Sequence, residues 1–590
     1  MLLAGALVPR PDDIDGGRDL PGTTAEGTSP TAREAAGSAR PAARSPWPVG
    51  RTEVPARTGA QKDTARRKHR DGSTRTGARR GNDDTAERRP LERSMTLTAH
   101  SDTRFRFLNA QPWQGAVYID GAWTPASGGA VDVLEKATGA TLAVAGLADA
   151  ADVARATASA AAAQPEWAAT AAERRREVFL RAADVLATHH EELADWLIRE
   201  TGGVRHKAEF ELLKSRENLL QAAALTTRSA GGTLPSPPGV TSLARRVPRG
   251  VVGVITPWNF PLTLALRMLG PALALGNAVV LKPNPQTPVT GGVALARLFA
   301  EAGLPPGLLQ VLPGEAEAGR ALVIDRNVDM ISFTGSTAVG RQVAADCAPL
   351  LKKCVLELGG NNPLVVLEDA DLELASSAGA WGTFNYQGQL CMTVGRHVVH
   401  RGVVEAYAEK LTRRARALRV GDPARADVHL GPLVNENQVA RVHRLVTESV
   451  AAGATLLTGG SHDGPMYQPT VLTGVTTDMP VFTEEIFGPV APIIAVDSDD
   501  EAVAIANHGE YGLAAAVLSG SESRAAAIAD RLRSGVVHVN DQTVNYDVQA
   551  PIGGMGASGS GDVFGGPADP EAYTEWQWIT RRAQSPVYPF

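Results

Sequence analysis

VVGVITPWNFPLTLALRMLGPALALGNAVVLK, residues 251–282, begins as a β-branched run, turns through two prolines into a segment of helical apolar spacing, and closes on a second β-branched run. Both runs are continuously apolar rather than alternating, the pattern of strands buried on both faces of a parallel sheet. The rhythm continues downstream: 251–256, 278–281, 308–312 and 330–333 read as strands, with amphipathic helices at 262–275, 288–302 and 316–324 between them. Alternation at this spacing predicts parallel βαβ units and a doubly wound α/β sheet.

Upstream, residues 148–230 are rich in Ala, Glu, Leu and Arg at helical spacing and predict two or three long helices. Ahead of them, 117–123 alternates and turns at Asp120-Gly121, a hairpin signal. Downstream, 360–540 reads as a second α/β block, with a helix at 370–386 ending near Gly388 and strands at 396–400 and 535–540. The Gly-rich segment 550–566 is a loop, and TEWQWIT (574–580) is a final strand. There is no internal repeat.

Composition narrows the function classes. The 590 residues carry a formal net charge of −6, with 43% hydrophobic and 21% charged residues. That is an ordinary globular balance, with no electrostatic reason to expect a nucleic-acid partner. The longest apolar stretch, 260–281, is broken by Arg267, Pro271 and Gly276, so no membrane span is expected. Three cysteines, Cys347, Cys354 and Cys391, cannot form a disulfide framework in so long a chain; they point to free thiols in a reducing, cytoplasmic compartment. Residues 1–94 differ from the rest: 16 Arg and 2 Lys stand against 13 acidic residues, and Leu, Ile, Val and Phe number only nine. A segment so poor in apolar side chains is expected to be a disordered extension. A start at Met95, leaving 1–94 untranslated, is favoured over an interaction tail or a targeting peptide.

Several residues invite chemistry. Cys391, in NYQGQLCM, follows a helix end and a Gln-Gly turn; it is a nucleophile if an electropositive neighbour favours the thiolate, and otherwise an inert buried thiol. Glu357 ends an apolar strand before two glycines, as a base of raised pKa or as half of a strand-end salt bridge. Asn259 follows the first strand of the βαβ series, where open parallel sheets bind ligands; its amide suits an oxyanion, or a helix N-cap. Lys282 closes the next strand and suits a phosphate or ribose hydroxyl, or is a surface lysine. Gly335 to Gly340 ends a strand and opens a helix, offering amides to a pyrophosphate. That segment, GSTAVGRQ (335–342), carries neither the G-x-G-x-x-G fingerprint nor a P-loop.

Taken singly these signals are weak; together they are specific. TPWNFP (256–261), LKPNPQTP (281–288), FTGST (333–337), LELGGNNP (356–363), GQLC (388–391), EEIFGP (484–489) and PIGGMGASG (551–559) occur in this order. This set resembles the aldehyde dehydrogenase superfamily over about residues 114–583. LELGGNNP, HVNDQTVN (538–545) and TEWQWIT resemble its aromatic-aldehyde branch, the benzaldehyde, salicylaldehyde and vanillin dehydrogenases.

The resemblance implies NAD(P)-dependent oxidation of an aromatic aldehyde to the carboxylic acid, through a cysteine thiohemiacetal and thioester. It makes Cys391 the nucleophile, Asn259 the oxyanion donor and Glu357, 34 residues before the cysteine, the base that activates water. Thr256, Trp258, Lys282, Gly335, Ser336, Glu485 and Phe487 would bind the cofactor, and Leu264, Phe384, Tyr386, Leu390 and Met392 would form an apolar substrate funnel. No metal is implied. The expected fold is a doubly wound Rossmann-like dinucleotide domain (95–229 and 249–359), an α/β catalytic domain (360–565) and a small bridging sheet (230–248 and 566–590) that assembles a homodimer or homotetramer.

Four positions depart from the family pattern. Pro285 stands where many NAD-preferring members carry a glutamate, so NAD is favoured with NADP still open. Met268 stands where many have a lysine near the base, and Asn361-Asn362 replace a more usual Lys-Ser or Lys-Asn pair. The rival readings are an aliphatic aldehyde or semialdehyde dehydrogenase, a CoA-acylating member, which would need no base at Glu357, and a non-catalytic cofactor-binding protein.

Overall fold

The computed structural model describes residues 107–108, 112–228 and 231–590. The expectations for 1–94 and Met95 lie outside these residues.

The expected βαβ strands form the core of a seven-stranded sheet. Its order is Lys353–Glu357, Met330–Thr334, Val251–Ile255, Ala278–Lys282, Leu309–Val311, Ala116–Ile119, Ala122–Pro125. The first five are mutually parallel. The last two are the expected hairpin, turning at Asp120 and Gly121 with φ of 53° and 76° and adding antiparallel to the edge. All residues of Val251–Ile255 and Ala278–Lys282 are buried, which explains why their sequence runs apolar without alternation. From the central strand Val251–Ile255 the chain steps outward to 278–282 and 309–311, then returns to the other side for 330–334 and 353–357. That reversal is a topological switch point, where open α/β sheets bind ligands at the carboxyl ends of the strands.

Four helices, not two or three, fill 148–230: Ala150–Ala169, Ala172–Thr188, His190–Thr201 and Arg205–Leu225. Two of the breaks, Thr170-Ala171 and His189, contain neither Gly nor Pro. Thr170 turns extended (ψ 137°), and His189 leaves helical geometry at φ −103°, ψ 22°. Only the third break, at Gly202 (φ 72°), carries the usual punctuation. The segment expected as a helix over 288–302 starts as a π-helical turn, Val289–Val293, whose first amides at Val289 and Thr290 donate to the buried Glu200 carboxylate at 2.8 and 2.7 Å.

Residues 358–361 carry the chain straight from the first sheet into a second one. Its order is Thr455–Thr458, Thr470–Thr473, Val490–Val496, Val394–His400, Asn362–Val366, Ala514–Leu518, Val536–Val539, parallel except at the 455–458 edge. A separate three-stranded sheet forms from the two segments expected to pair, 230–248 and 566–590. Thr574–Arg582 pairs antiparallel with all nine residues of Val240–Pro248, which pairs in turn with Gly231–Leu234. No helix among the described residues is long and apolar enough to cross a membrane.

Candidate active site

The strand ends of the first sheet place the motifs side by side. In register, Ile255 pairs with Lys282 on one side and Phe333 on the other, while Thr334 pairs with Glu357. Thr256, Lys282, Gly335 and Glu357 therefore emerge along one edge, although 101 residues separate the first from the last.

At this edge a wide cleft, about 1730 Å³ and open to solvent, is lined by Thr256, Trp258, Lys282, Pro285, Gly335 and Ser336 among others. Lys282 is 8% exposed, so the surface-lysine alternative fails. Its Nζ donates to the Gly314 carbonyl at 2.5 Å, and burial pulls its pKa down to about 8, opposed by Glu315. Ser336 caps helix Thr337–Cys347 without engaging its side chain, leaving the first amides of that helix free of a side-chain acceptor. Gly335 has no room for a side chain: a Cβ there would lie 2.5 Å from the Phe333 ring. The Thr256 hydroxyl is buried without a partner. A buried ammonium, an open helix N-terminus and an unpartnered hydroxyl fit a phosphate-bearing dinucleotide. Glu485 and Phe487 are not among the residues that line this cleft; Phe487 touches it only through Trp258. Phe487, at φ 55°, packs edge-on against Trp258 with ring centroids 5.5 Å apart, and Glu485 Oε1 accepts the Gly360 amide at 2.9 Å.

Cys391 is presented by an unusual turn. After helix Leu372–Phe384, Tyr386, Gln387 and Gly388 all take left-handed conformations, with φ of 49°, 56° and 68°. Two non-glycine residues in that region cost free energy, and the surroundings hold them there. Tyr386 Oη donates to the Thr201 carbonyl at 3.1 Å, and Gln387 Nε2 donates to Gly202 and Pro432 at 3.1 and 2.9 Å. The turn delivers Cys391 half-buried, with its carbonyl accepting Asn362 Nδ2 at 2.8 Å. A Cβ on Gly360 would lie 2.7 Å from that carbonyl, so the double glycine is needed for close approach.

Asn259 is buried, and its Nδ2 donates to the Gln389 carbonyl at 3.0 Å, tying it to the cysteine segment. It is not a helix cap. Helix Pro261–Ala274 has Phe260 at its cap position, and the Leu262 and Thr263 amides go to Glu211 Oε1 instead. Glu357 makes no salt bridge at hydrogen-bond distance, and its Oε1 is buried without a partner. Burial pushes its pKa up to about 8, opposed by Arg267. Burial likewise lifts Glu485 to about 7 and, reinforced by Glu357 and Glu485, the Cys391 thiol to about 12. The electropositive neighbour that would favour a thiolate is absent among the described residues, so the resting thiol holds its proton.

A second, narrower cavity of about 800 Å³ ends on Cys391 and Asn259. Leu264, Leu390 and Met392 line it, as expected. Phe384 and Tyr386 do not. Tyr386 is 0% exposed and packs behind Phe260, ring centroids 5.5 Å apart, because its left-handed backbone turns the ring under that wall. Phe384, the last helical residue, faces the adjoining cleft beside Arg205 and His429. The wall includes Phe210, Phe260, Trp381 and Tyr546, which sequence reasoning did not single out. Phe260 lies inside the TPWNFP motif and was within reach; the other three carry no local signal.

A family model described as the aldehyde dehydrogenase family matches residues 123–579. The chain belongs to that family. Among curated relatives of this aldehyde dehydrogenase, the vanillin dehydrogenase of an Amycolatopsis species is 49% identical over 82% of the chain and 100% of its own length. A Pseudomonas putida protein named benzaldehyde dehydrogenase [NAD(+)] is 50% identical with the same two coverages. Among solved structures, a betaine aldehyde dehydrogenase from Staphylococcus aureus in complex with NAD+ superposes with a TM-score of 0.79 at 29% identity, covering 82% of this chain and 98% of that one. The aldehyde dehydrogenase fold expected from the motifs is thus the one present.

Proposed function

We propose that the protein oxidises an aromatic aldehyde of the benzaldehyde type to its carboxylic acid with NAD as acceptor, as a soluble cytoplasmic homodimer or homotetramer. The observation that carries this reading is the aromatic-walled cavity ending on Cys391 and Asn259. Phe210, Phe260, Trp381 and Tyr546 offer ring faces and edges to a planar substrate. The names borne by the relatives from Amycolatopsis and Pseudomonas putida support it. The exposed Trp576 and Trp578 on the outer strand of the bridging sheet support assembly.

Cys391 Sγ attacks the aldehyde carbonyl to give a thiohemiacetal oxyanion, its thiol proton passing to solvent water as the bond forms. Asn259 spends one Nδ2 hydrogen on Gln389 and keeps the second for the developing oxyanion, alongside the Cys391 amide. A nicotinamide dinucleotide held in the cleft supplies the hydride acceptor. Loss of hydride leaves a thioester on Cys391. Glu357 then removes a proton from water, which attacks the thioester, expels the thiol and yields the acid. Its unpartnered Oε1 is free to accept from that water.

Absorbance at 340 nm with benzaldehyde and NAD or NADP tests this. Reduced cofactor is expected with wild type, faster with NAD, and none with Cys391→Ala. Glu357→Gln is expected to give a stoichiometric burst and little turnover. Turnover confined to aliphatic aldehydes would overturn the aromatic assignment.

A further inference from the structure

Helix Arg205–Leu225 carries a buried ion pair that the proposed chemistry does not use. Lys207 and Glu211 stand one turn apart and are 2% and 0% exposed. Lys207 Nζ donates to Glu211 Oε2 at 2.5 Å. A pair of charges taken out of water recovers its desolvation cost poorly, and an apolar pair of similar volume is often as stable. Core packing alone does not call for charges here.

The remaining contacts of the pair lead to the two segments that carry the reacting side chains. Glu211 Oε1 accepts the Leu262 and Thr263 amides at 2.9 and 3.3 Å, at the start of helix Pro261–Ala274 and three residues beyond Asn259. The Glu211 carbonyl accepts Thr263 Oγ1 at 2.8 Å. The Lys207 ammonium lies over two rings, 4.6 Å from the centroid of Phe260 and 4.6 Å from that of Tyr386. Phe260 is the residue after Asn259, and Tyr386 begins the left-handed turn that delivers Cys391. Lys207 Nζ also reaches Thr201 Oγ1 at 3.3 Å, and the Thr201 carbonyl holds the Tyr386 hydroxyl. The hydrogen bond from Asn259 Nδ2 to the Gln389 carbonyl closes the circuit. Lys207 borders the aldehyde cavity, but its side chain is only 1% exposed and its ammonium is occupied by Thr201, Glu211 and the two rings. It has no donor to offer the substrate.

We infer that Lys207 and Glu211 are a positioning pair for the oxyanion site: from one helix they grip the segment bearing Asn259 and the turn bearing Cys391, and so fix the Asn259 amide relative to the thiol. This rests on the reading of Asn259 as the oxyanion donor. Asn259 and Gln389 lie 130 residues apart in sequence, and the one hydrogen bond between them sets a distance while leaving the amide free to swing about it. A donor stabilises a developing oxyanion only when it is already aimed at that point, and displacements of about 1 Å cost up to about 10² in rate. The amide grip on one side of Asn259 and the two-ring clamp across to Tyr386 remove that freedom.

The test is a mutant cycle read by single-turnover NADH formation at 340 nm, with enzyme in excess of benzaldehyde and NAD saturating. The double variant Lys207→Met with Glu211→Gln removes both charges together, so no unpaired charge is left buried, and Gln keeps an oxygen for the Leu262 and Thr263 amides. It should form NADH about tenfold or more slowly than wild type. Placed on Asn259→Ala, the same pair of substitutions should cost less than about twofold further, because a brace has nothing left to aim. Glu211→Gln alone, which keeps the ammonium over both rings, carries the same cycle if the double variant does not fold, with a loss of about threefold or more from the weakened grip on the amides. A wild-type rate in the folded double variant would overturn the inference. So would an equal fold-loss with and without Asn259, the signature of general support to the fold. An unaltered rate in Asn259→Ala itself would overturn the reading of Asn259 instead, and is measured in the same cycle.

Discussion

The cleft at the edge of the first sheet and the aromatic-walled cavity that ends on Cys391 are built in different ways. The cleft is lined by segments at the ends of strands of one sheet, Thr256 to Trp258, Lys282 to Gln286 and Thr334 to Ser336, and by helices Ala316–Ile324 and Thr337–Cys347 that follow in the same βαβ series. Each strand-end segment is contiguous in sequence, and the parallel register brings these segments together. The cavity is assembled from single side chains on helices Arg205–Leu225, Pro261–Ala274 and Leu372–Phe384 and on the segment 544–546. No two of its aromatic walls share a motif. A site at the carboxyl edge of a sheet is inherited from topology, whereas a cavity between helices depends on the packing of every helix around it.

The largest effect expected from that division falls where the two regions meet. Asn259 follows a strand of the first sheet and also ends the cavity. Asn259→Ala should lower kcat by about 10²–10³ with little change in KM for NAD, since one preorganised donor to the oxyanion is lost. Steady-state kinetics with both substrates varied would check it, and a drop confined to KM would place Asn259 in binding rather than chemistry. A smaller effect belongs to the cleft alone. Lys282→Ala should raise KM for NAD by about tenfold, the worth of one charge-assisted hydrogen bond, and leave KM for benzaldehyde within about twofold. A change in the aldehyde constant of similar size would mean the two regions are not separable.

The same division governs what could be read in the chain. The parallel strands were legible because buried β-branched runs leave a pattern no surface segment shares, and the cleft residues because they stand next to those runs. The helix count was not, since Thr170 and His189 break helices without Gly or Pro and leave no mark in the apolar spacing. Arg267 looked like an interruption of an apolar stretch. Its partners, Ala550 and Phe564, lie nearly 300 residues further along, so nothing local distinguishes it from a solvated arginine. The cavity wall was legible only next to Cys391, at Leu390 and Met392, and at Leu264. Phe384 and Tyr386 were placed there by proximity to the cysteine, and proximity along a chain does not survive a left-handed turn.

Tyr386 therefore gives the smallest and sharpest of these tests. Lying near Cys391 in sequence but behind Phe260 in space, it should behave as part of the scaffold. Its ring packs 4.6 Å from the Lys207 ammonium, which lies the same distance from Phe260, and its hydroxyl donates to Thr201. Tyr386→Phe keeps both ring contacts and removes one buried hydrogen bond, a loss of about 1 kcal/mol in stability. Thermal unfolding should shift by less than about 2 °C in a chain of this size, and KM for benzaldehyde should stay within about twofold. Leu264→Ala, which does line the cavity, removes apolar contact with the ring and should raise that KM by about tenfold. If Tyr386→Phe moved KM as far as Leu264→Ala did, the wall at Phe260 would not be closed in solution. The cavity would then be larger than its aromatic lining implies.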